Sequence, residues 1–226
     1  MVRPNHRDPT AMYLPQHFEE TRPDVLHDLL RTHPLGLLIT QDAAGELAAN
    51  NLPFMLDPDP AGGPGILRAH VARANPLWHE ARTDVDALVV FQGPQAYISP
   101  SMYPSKAATG KVVPTWNYIM VQGRGRLRAV DDAHWLRAFV TRLTERHEAD
   151  RPVPWAVGDA PADFIDATLR AIVGIQITLT SFSGKWKVSQ NRTRVDRDGV
   201  VYGLRSQGDD EAQQLATRIV GANTPS

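Results

Sequence analysis

The sequence contains no cysteine among its 226 residues. This absence excludes disulfides, thiolate nucleophiles, zinc–thiolate sites, iron–sulfur clusters and cysteine-ligated haem. Long apolar runs are also missing, since stretches such as Leu35–Ile39 fall far below the roughly 20 residues of a membrane-spanning helix. The segment from Met1 to Pro15 has no apolar run behind its basic residues. We therefore expect no signal peptide, no membrane partner and a cytoplasmic location.

An excess of one charge is missing as well. The chain carries 24 Lys and Arg against 25 Asp and Glu, a formal net charge of -1. Such a balance provides no global field for nucleic acid or an anionic membrane, so a partner of that kind would need a local patch. Hydrophobic residues make up 42% of the chain, which is enough for a core and excludes wholesale disorder.

Short strands dominate what is present. Period-2 patterns and turn residues predict a hairpin, three further strands and one strand interrupted at Gly93-Pro94. The predicted strands are 35–40, 46–56, 66–71, 87–92 with 96–99, 115–130 and 174–180. Apolar residues at i, i+3, i+4 and i+7 predict helices over 24–32, from Asp131 or Asp132 to Glu148, from Pro161 to about 172, and over 209–220. These elements predict one α+β domain, mainly β, built around a small barrel.

The acids are unevenly distributed. Three windows contain no Asp or Glu: Pro60–His79, Ala87–Val130 and Ala167–Val195. They hold 12 of the 24 basic residues. Either these windows converge on an anion such as a phosphate group, or buried strands exclude carboxylates while the bases reach solvent at strand ends. Charge alone leaves both interpretations open.

Three segments inside these windows favour the anion. Ser99–Lys106 combines three hydroxyls, a tyrosine and a lysine; Val113–Tyr118 and Gly184–Asn191 add aromatic rings, amides and lysines. Rings and amides suit a flat heterocycle, while bases and hydroxyls suit a phosphate, so the combination predicts a phosphorylated planar cofactor. Taken singly, Trp116 and Trp186 on strands are more often core residues than cofactor contacts, and His70 is more often an interior histidine than a ligand.

Familiar catalytic and binding motifs are not found. Gly123-Arg124-Gly125 lacks the third glycine and the following helix of a dinucleotide fingerprint, and Gly110-Lys111 lacks the rest of a P-loop. No nucleophile elbow, zinc-binding histidine pair or helix-turn-helix is readable, since the Pro-rich 151–160 separates the two candidate helices. We therefore predict no metal site and no DNA-binding motif, and we assign no catalytic residue.

Several longer segments resemble the PaiB-type family of FMN-binding negative transcriptional regulators. The resemblance runs from Met12 to about Leu204, with one departure at Met102, where a tryptophan is expected. Its motifs are 70–76 (His-Val-Ala-Arg-Ala-Asn-Pro), 91–94, 97–101, 113–118, 159–161, 172–175 and 184–191 (Gly-Lys-Trp-Lys-Val-Ser-Gln-Asn).

The resemblance implies an FMN-binding split β-barrel of the pyridoxamine-phosphate-oxidase type, working as a homodimer with flavin at the subunit interface. It implies one domain over 1–226, with a core of about 12–205, a helical insertion at 131–172 and a C-terminal helix and tail at 206–226. Phosphate and ribityl are expected near Arg73, Asn75 and Asn50-Asn51, while Trp116, Asn117, Lys185, Ser189 and Gln190 are expected to reach the neighbour's flavin. The expected cofactor-binding residues are Asn50, Asn51, His70, Ala72, Arg73, Asn75, Ser99, Ser101, Lys106, Thr115, Trp116, Asn117, Lys185, Ser189 and Gln190.

The function remains open between classes. The resemblance implies a negative regulator of transcription, with direct DNA contact possible but unsupported by a motif. A bound flavin carries its own redox chemistry, so a flavin-dependent oxidoreductase is the alternative, with Tyr103, Tyr118 and His70 as candidate proton-transfer groups. A haem site at His70 on the same fold is a weaker third hypothesis.

Overall fold

The computed structural model describes residues 12–222, so most of the N-terminal segment and the last four residues of the expected tail lie outside it. Contacts between Cα atoms group the described residues into two compact units. Unit 1 comprises 12–20, Pro94–Ile119 and 185–222; unit 2 comprises Thr21–Gly93 and Met120–Gly184. One domain over 1–226 stays a prediction.

The described chain contains eight strands and seven α-helices. The strands are β1 (Glu19–Glu20), β2 (Leu35–Gln41), β3 (Leu47–Pro53), β4 (Met55–Asp57), β5 (Ile66–Ala72), β6 (Asp86–Ile98), β7 (Thr115–Val130) and β8 (Ile172–Lys187). The helices are α1 (Pro23–Thr32), α2 (Leu77–Glu80), α3 (Ser105–Thr109), α4 (Ala133–Glu148), α5 (Ala162–Arg170), α6 (Arg194–Arg205) and α7 (Asp210–Ala222).

Seven strands form one path in the order β3-β2-β6-β7-β8-β5-β4. The predicted hairpin is confirmed, with Leu35 opposite Pro53 and Gln41 opposite Leu47 in antiparallel register. Asp42 closes its turn, because its carboxylate accepts hydrogen bonds from the amides of Ala44 and Glu46. Since β3 ends the path, no further strand is hydrogen-bonded to its outer edge within the described chain.

The strand break at Gly93-Pro94 was wrong, because β6 runs unbroken through both residues. Gly93 and Pro94 are buried in that strand. A proline removes only one donor from a ladder, so the burial of Gly93 and Pro94 themselves overrides the turn signal. The helix α6 was missed, since its glycines at 199 and 203 weaken the helical signal.

The glycines of α6 have a packing role in unit 1. A Cβ on Gly199 would collide with the carbonyl oxygen of Met102 and lie 2.6 Å from Cδ of Pro104. A Cβ on Gly203 would lie 2.7 Å from Cγ of Met102. Met102, where a tryptophan was expected, therefore packs against α6.

The inserted helices of unit 2 share a small core. Leu136 of α4 and Ile165 and Leu169 of α5 pack with Val157, and Trp135 lies against this cluster. Asp132 is the N-cap of α4, accepting a hydrogen bond of 2.6 Å from the amide of Trp135. The predicted apolar faces are confirmed at the buried Leu136 and Phe139 of α4 and Ile165 and Leu169 of α5. The second helix is shorter than predicted, because Ile172 begins β8. Within residues 12–222, no helix combines the length and apolar composition that crossing a membrane requires.

Candidate functional site

The fifteen expected site residues divide between the two units. Unit 2 holds Asn50, Asn51, His70, Ala72, Arg73 and Asn75, and unit 1 holds the other nine. The residues of unit 2 come from β3, β5 and the turn after β5. Those of unit 1 come from the loop around α3, the start of β7, and the end of β8 with the turn that follows.

Asn50 and Asn75 meet in unit 2. Nδ2 of Asn75 donates a hydrogen bond of 2.8 Å to Oδ1 of Asn50, and Oδ1 of Asn75 accepts from the amide of Leu77 at the start of α2. Both side chains line a cleft of about 470 Å³. Asp42, Glu46 and Glu80 also line this cleft, and none of its lining residues is basic. The cleft therefore offers amides to a ligand but repels a phosphate.

Asn51 and Ala72, also in unit 2, contribute in different ways. The side chain of Asn51 is exposed on β3, opposite Leu37 in the hairpin. Ala72 ends β5, and its carbonyl oxygen accepts a hydrogen bond of 2.9 Å from the amide of Asn75. Ala72 thus supplies main chain that shapes the turn carrying Asn75.

Arg73 is engaged by a carboxylate outside the acid-free windows. Its guanidinium pairs with both oxygens of Asp131 at 2.5 and 2.8 Å, and it also donates to the carbonyl oxygens of Arg170 and Ile172. The hydrogen bond with Arg73 lowers the pKa of Asp131. A phosphate at Arg73 would have to displace Asp131, so its role as a phosphate ligand stays a prediction.

His70 lies on β5 with its ring packed edge-on against Phe139 of α4, 5.9 Å between centroids. Its Nδ1 is buried and has no hydrogen-bond partner among the described residues. Burial lowers the pKa of His70, which favours the neutral ring at pH 7. The described residues contain no group of three or more His, Cys, Asp or Glu that could hold a metal ion.

In unit 1, Asn117 and Ser189 form a buried pair. Nδ2 of Asn117 donates a hydrogen bond of 2.8 Å to Oγ of Ser189, and the two residues are 1% and 3% exposed. Ser189 has a φ of 63°, the one positive value for a non-glycine residue in 12–222. Strained backbone of this kind persists where the surrounding structure enforces it, often at functional sites.

Gln190, next along the same turn of unit 1, closes the end of β8. Its Oε1 accepts a hydrogen bond of 2.8 Å from the amide of Val188, and its Nε2 donates to the carbonyl oxygen of Trp186. Both halves of the amide are therefore used by main chain. Gln190 shapes the turn that carries Ser189.

Two lysines dominate the end of β8. Lys185 is buried, donates a hydrogen bond of 2.8 Å to the carbonyl oxygen of Tyr13, and lies over the rings of Tyr13 and Tyr118 at 5.3 and 5.6 Å. Lys187 donates to Oγ1 of Thr115 at 2.6 Å and to the carbonyl oxygen of Trp116 at 2.7 Å. Burial, followed by the charges of Lys185 and Arg192, lowers the pKa of Lys187. Lys187 was missing from the predicted site, although the same acid-free window contained it.

An exposed aromatic pair lies beside Lys187 in unit 1. The rings of Tyr97 and Trp116 are 6.1 Å apart and each is about half exposed. Nε1 of Trp116 donates a hydrogen bond of 3.1 Å to Oε1 of Gln95, which orients the indole. An oriented, exposed ring is suited to packing on a planar ligand, as predicted for Trp116.

The loop around α3 places the remaining unit 1 residues. The hydroxyls of Ser99 and Ser101 lie 2.8 Å apart, and Ser99 also caps the short turn by accepting from the amide of Ser101. Lys106 is exposed on α3. The neighbouring Tyr103 is buried, its hydroxyl makes no hydrogen bond of ordinary geometry within the described chain, and Cζ of Arg192 lies 5.1 Å from its ring. Burial raises the pKa of Tyr103, while Arg192 opposes that shift.

Both interpretations of the acid-free windows apply, to different residues. In unit 2, Arg68 pairs with Asp57 at 2.6 Å and Arg126 with Asp86 at 3.0 Å, so carboxylates from outside the windows neutralise these bases. In unit 1, no ion pair to a carboxylate is formed by Lys185, Lys187 or Arg192 among the described residues. Cations, a hydroxyl and an exposed aromatic pair thus occur together in unit 1, and this donor set fits a phosphate and a planar ring.

Comparison with known proteins identifies the class. A solved FAD- and haem-binding protein from Mycobacterium smegmatis shares the fold with a TM-score of 0.53 and 18% identity, over 75% of this chain and 73% of that one. The flavocytochrome Anf3 from Azotobacter vinelandii does so with a TM-score of 0.52 and 14% identity, over 78% and 70%. The chain shares the fold of these flavin-binding proteins, an α+β split β-barrel that is mainly β, which confirms the predicted fold class.

The family follows from the sequence match. Residues 12–181 match the model of the family described as "Putative FMN-binding domain", and this chain belongs to that family. Its cofactor is FMN, as predicted.

Relatives of similar length occur in bacteria and fungi. The protease synthase and sporulation protein PAI 2 of Bacillus subtilis is 29% identical, over 91% of this chain and 95% of that protein. An uncharacterised protein of Emericella nidulans is 33% identical over 92% and 96%, and one of Aspergillus fumigatus is 33% identical with the same coverage. The PaiB-type resemblance is confirmed.

Proposed function

We propose that this chain is a homodimeric, FMN-binding negative regulator of transcription of the PaiB type, acting in the cytoplasm. The observation that carries the proposal is the match to PAI 2, which spans nearly the full length of both proteins. Similarity over the barrel, the helical insertion and the turn after β8 supports a shared role. A shared cofactor fold alone would leave the role open.

The edge of unit 2 supports the homodimer. β3 has seven residues, carries no charge and ends the strand path, and Leu47 is 74% exposed on it. An uncharged edge strand of this length invites pairing with another chain, and soluble proteins usually protect such edges. A second copy of this chain covering β3 would bury Leu47, Ala49 and the backbone edge, and we place the flavin at that interface.

Charged variants test the dimer. Ala49→Lys places a charge on the exposed surface of β3, whereas Ala167→Lys places one on the exposed surface of α5 in the same unit. In sedimentation experiments we expect Ala49→Lys to dissociate and Ala167→Lys to remain dimeric, because desolvating a lysine at an interface is costly. If both variants contain the same fraction of dimer as the wild type, β3 is not part of the dimer interface.

Complementation tests the regulatory role. Expression of this chain in Bacillus subtilis lacking PAI 2 is expected to return extracellular protease production to the level of the intact strain. Unchanged protease levels with well-expressed protein would count against the proposal. A mobility-shift assay across a salt series separates direct from indirect regulation, since absence of binding even at low salt rejects contact with DNA.

A flavin-dependent oxidoreductase is the second candidate. It is favoured by the fungal relatives, which match this chain at 33% identity with coverage like that of the Bacillus protein. A common small-molecule reaction links such distant organisms more directly than a common promoter does. FMN supplies the redox chemistry when bound. Tyr103 holds a proton on a buried hydroxyl beside Arg192, which makes it the candidate proton donor of this chain.

Reduction of the flavin distinguishes the two candidates. The FMN-loaded protein would be mixed with each nicotinamide cofactor under anaerobic conditions, and the absorbance of oxidised flavin would be followed. Rapid bleaching of the flavin, followed by turnover when air is admitted, supports the oxidoreductase. Loss of that turnover in Tyr103→Phe would support Tyr103 as the proton donor. Absence of bleaching with both nicotinamides favours the regulator.

A further inference from the structure

We propose that Lys185, Lys187 and Arg192 form a phosphomonoester-binding site in unit 1, here named the cationic cluster. The expected phosphate residue, Arg73, lies in unit 2 and already pairs with Asp131. The assignment of FMN as one source of the phosphate rests on the function proposed above. Independently of that function, the two lysines lie over the same ring, that of Tyr118, at 5.6 and 6.0 Å.

The two lysines retain unused hydrogen-bond donors. An ammonium group has three N–H donors. One donor of Lys185 is directed to the carbonyl oxygen of Tyr13, which leaves two, and two donors of Lys187 are directed to Thr115 and Trp116, which leaves one. These neutral partners hold the two ammonium groups in place without neutralising their charge.

Neither lysine of the cluster has a carboxylate partner in the described chain. Lys185 is only 8% exposed, and the charges of Lys185 and Arg192 lower the pKa of Lys187 behind the larger effect of burial. Arg192 lowers the pKa of Asp196, so this carboxylate offsets part of the charge of Arg192, whereas the charges of the two lysines are not offset in this way. Like charges gathered in a half-buried place are costly unless an anion joins them. In unit 2, by contrast, Arg68, Arg73 and Arg126 each have a carboxylate partner.

The geometry selects a small anion with more than one negative charge. Lys185 is buried while Lys187 and Arg192 are partly exposed, so the cluster suits a small anion better than the extended surface of a membrane or a folded protein. A phosphomonoester carries about -1.5 to -2 charges at pH 7 and three acceptor oxygens, which match the number of free lysine N–H donors. The phosphate of FMN and the phosphate of a separate small molecule share this chemistry. The site also lies beyond residue 181, where the family match ends.

Riboflavin, which is FMN without its phosphate, makes the test selective. Dissociation constants for FMN and riboflavin would be measured by flavin fluorescence with wild-type full-length protein, Lys187→Gln, Lys187→Arg and Lys111→Gln. Lys111 is an exposed lysine of the same unit and serves as the matched control. In parallel, the melting temperature of each FMN-loaded protein would be recorded with inorganic phosphate and with chloride at equal ionic strength.

If the cluster holds the phosphate of FMN, Lys187→Gln weakens FMN about tenfold or more, because hydrogen bonds to charged groups contribute about that factor. The dissociation constant of riboflavin for Lys187→Gln then stays within about twofold of the wild-type value. The dissociation constant of FMN for Lys111→Gln stays within the same range. Lys187→Arg retains most of the preference for FMN. If the cluster holds another phosphomonoester, FMN affinity stays unchanged, but phosphate raises the melting temperature of wild type and not of Lys187→Gln. Both results support the site and separate its two sources.

The proposal is overturned if Lys187→Gln keeps both the preference for FMN over riboflavin and the stabilisation by phosphate. Should Lys187→Gln fail to fold, as judged by circular dichroism, Arg192→Gln repeats the test, since the Arg192 side chain holds no main-chain carbonyl in the described chain. Failure of complementation in Bacillus leaves this result untouched. The two proposals therefore fail separately.

Discussion

Ser189 offers a sharp test of the turn that follows β8. Its backbone has a φ of 63°, where an L side chain is strained, and its buried hydroxyl accepts a hydrogen bond from Asn117. Ser189→Ala removes the hydrogen bond and keeps the strain. Ser189→Gly removes the same hydrogen bond but releases the strain. The two variants therefore separate the contribution of the side chain from that of the backbone.

The expected magnitudes follow from these two terms. Leaving the buried Nδ2 of Asn117 without an acceptor costs about 1–3 kcal/mol in both variants. Left-handed backbone costs a non-glycine residue about 1–2 kcal/mol, while glycine loses roughly 0.5–1 kcal/mol more to chain entropy on folding. The difference leaves Ser189→Gly about 1 kcal/mol more stable than Ser189→Ala, and both less stable than wild type. At ordinary backbone angles the order is reversed, because there a glycine variant is less stable than an alanine variant.

Urea unfolding followed by circular dichroism measures the order. Ser181 is the matched control, because it is exposed in β8 with ordinary backbone, and there we expect the alanine variant to be the more stable by roughly 0.5–1 kcal/mol. An alanine variant at 189 as stable as the glycine variant, or more so, would refute the argument from strain. If Ser189→Ala and Ser189→Gly are both as stable as the wild type, the hydrogen bond from Asn117 contributes nothing to stability.

Two further predictions concern unit 1. Gly199→Ala should destabilise by up to about 2 kcal/mol, because overpacking against the Met102 carbonyl outweighs the roughly 1 kcal/mol gain in helix propensity; Gly203→Ala, which meets only a flexible methionine side chain, should be neutral or stabilising. Equal effects of the two in urea unfolding would contradict this difference. Asp196 is buried, which raises its pKa, but hydrogen bonds from Ser105 lead to a net lowering from 3.8. The stability that Asp196 contributes is therefore present above its unfolded-state pKa and is lost as the pH falls through the lowered value. Asp196→Asn should be less stable than wild type at pH 7, with a gap that narrows in acid; a gap independent of pH would be inconsistent with a charged Asp196.

Local patterns were sufficient for much of the fold. Alternating residues predicted β7 with its observed limits, Thr115–Val130, and the hairpin of β2 and β3. The i, i+3, i+4 pattern predicted α4, whose N-cap is Asp132. Local patterns failed where burial decides the outcome. Gly93 and Pro94 signal a turn, yet both lie buried within β6, and the glycines of α6 signal a loop although they admit Met102.

The same division holds for the candidate site. Motif segments such as 184–191 pointed to the right stretch of chain, but not to the function of each side chain. The side chain of Gln190 is hydrogen-bonded to the main chain of its own turn. Lys187, which was not among the predicted site residues, donates hydrogen bonds to Thr115 and Trp116. These partners lie about 70 residues away along the chain. No local pattern reports such distances.

The sequence alone determined the absence of thiol chemistry, the balance of charge and the family motifs, because these are properties of residue types and short segments. It also showed that half of the basic residues lie in windows without acids. Only the tertiary structure decided which of those bases are neutralised. Asp57, Asp86 and Asp131 reach Arg68, Arg126 and Arg73 from outside the windows, whereas Lys185 and Lys187 meet only neutral oxygens. Ion pairing depends on distance in space, and folding sets that distance independently of the spacing along the chain.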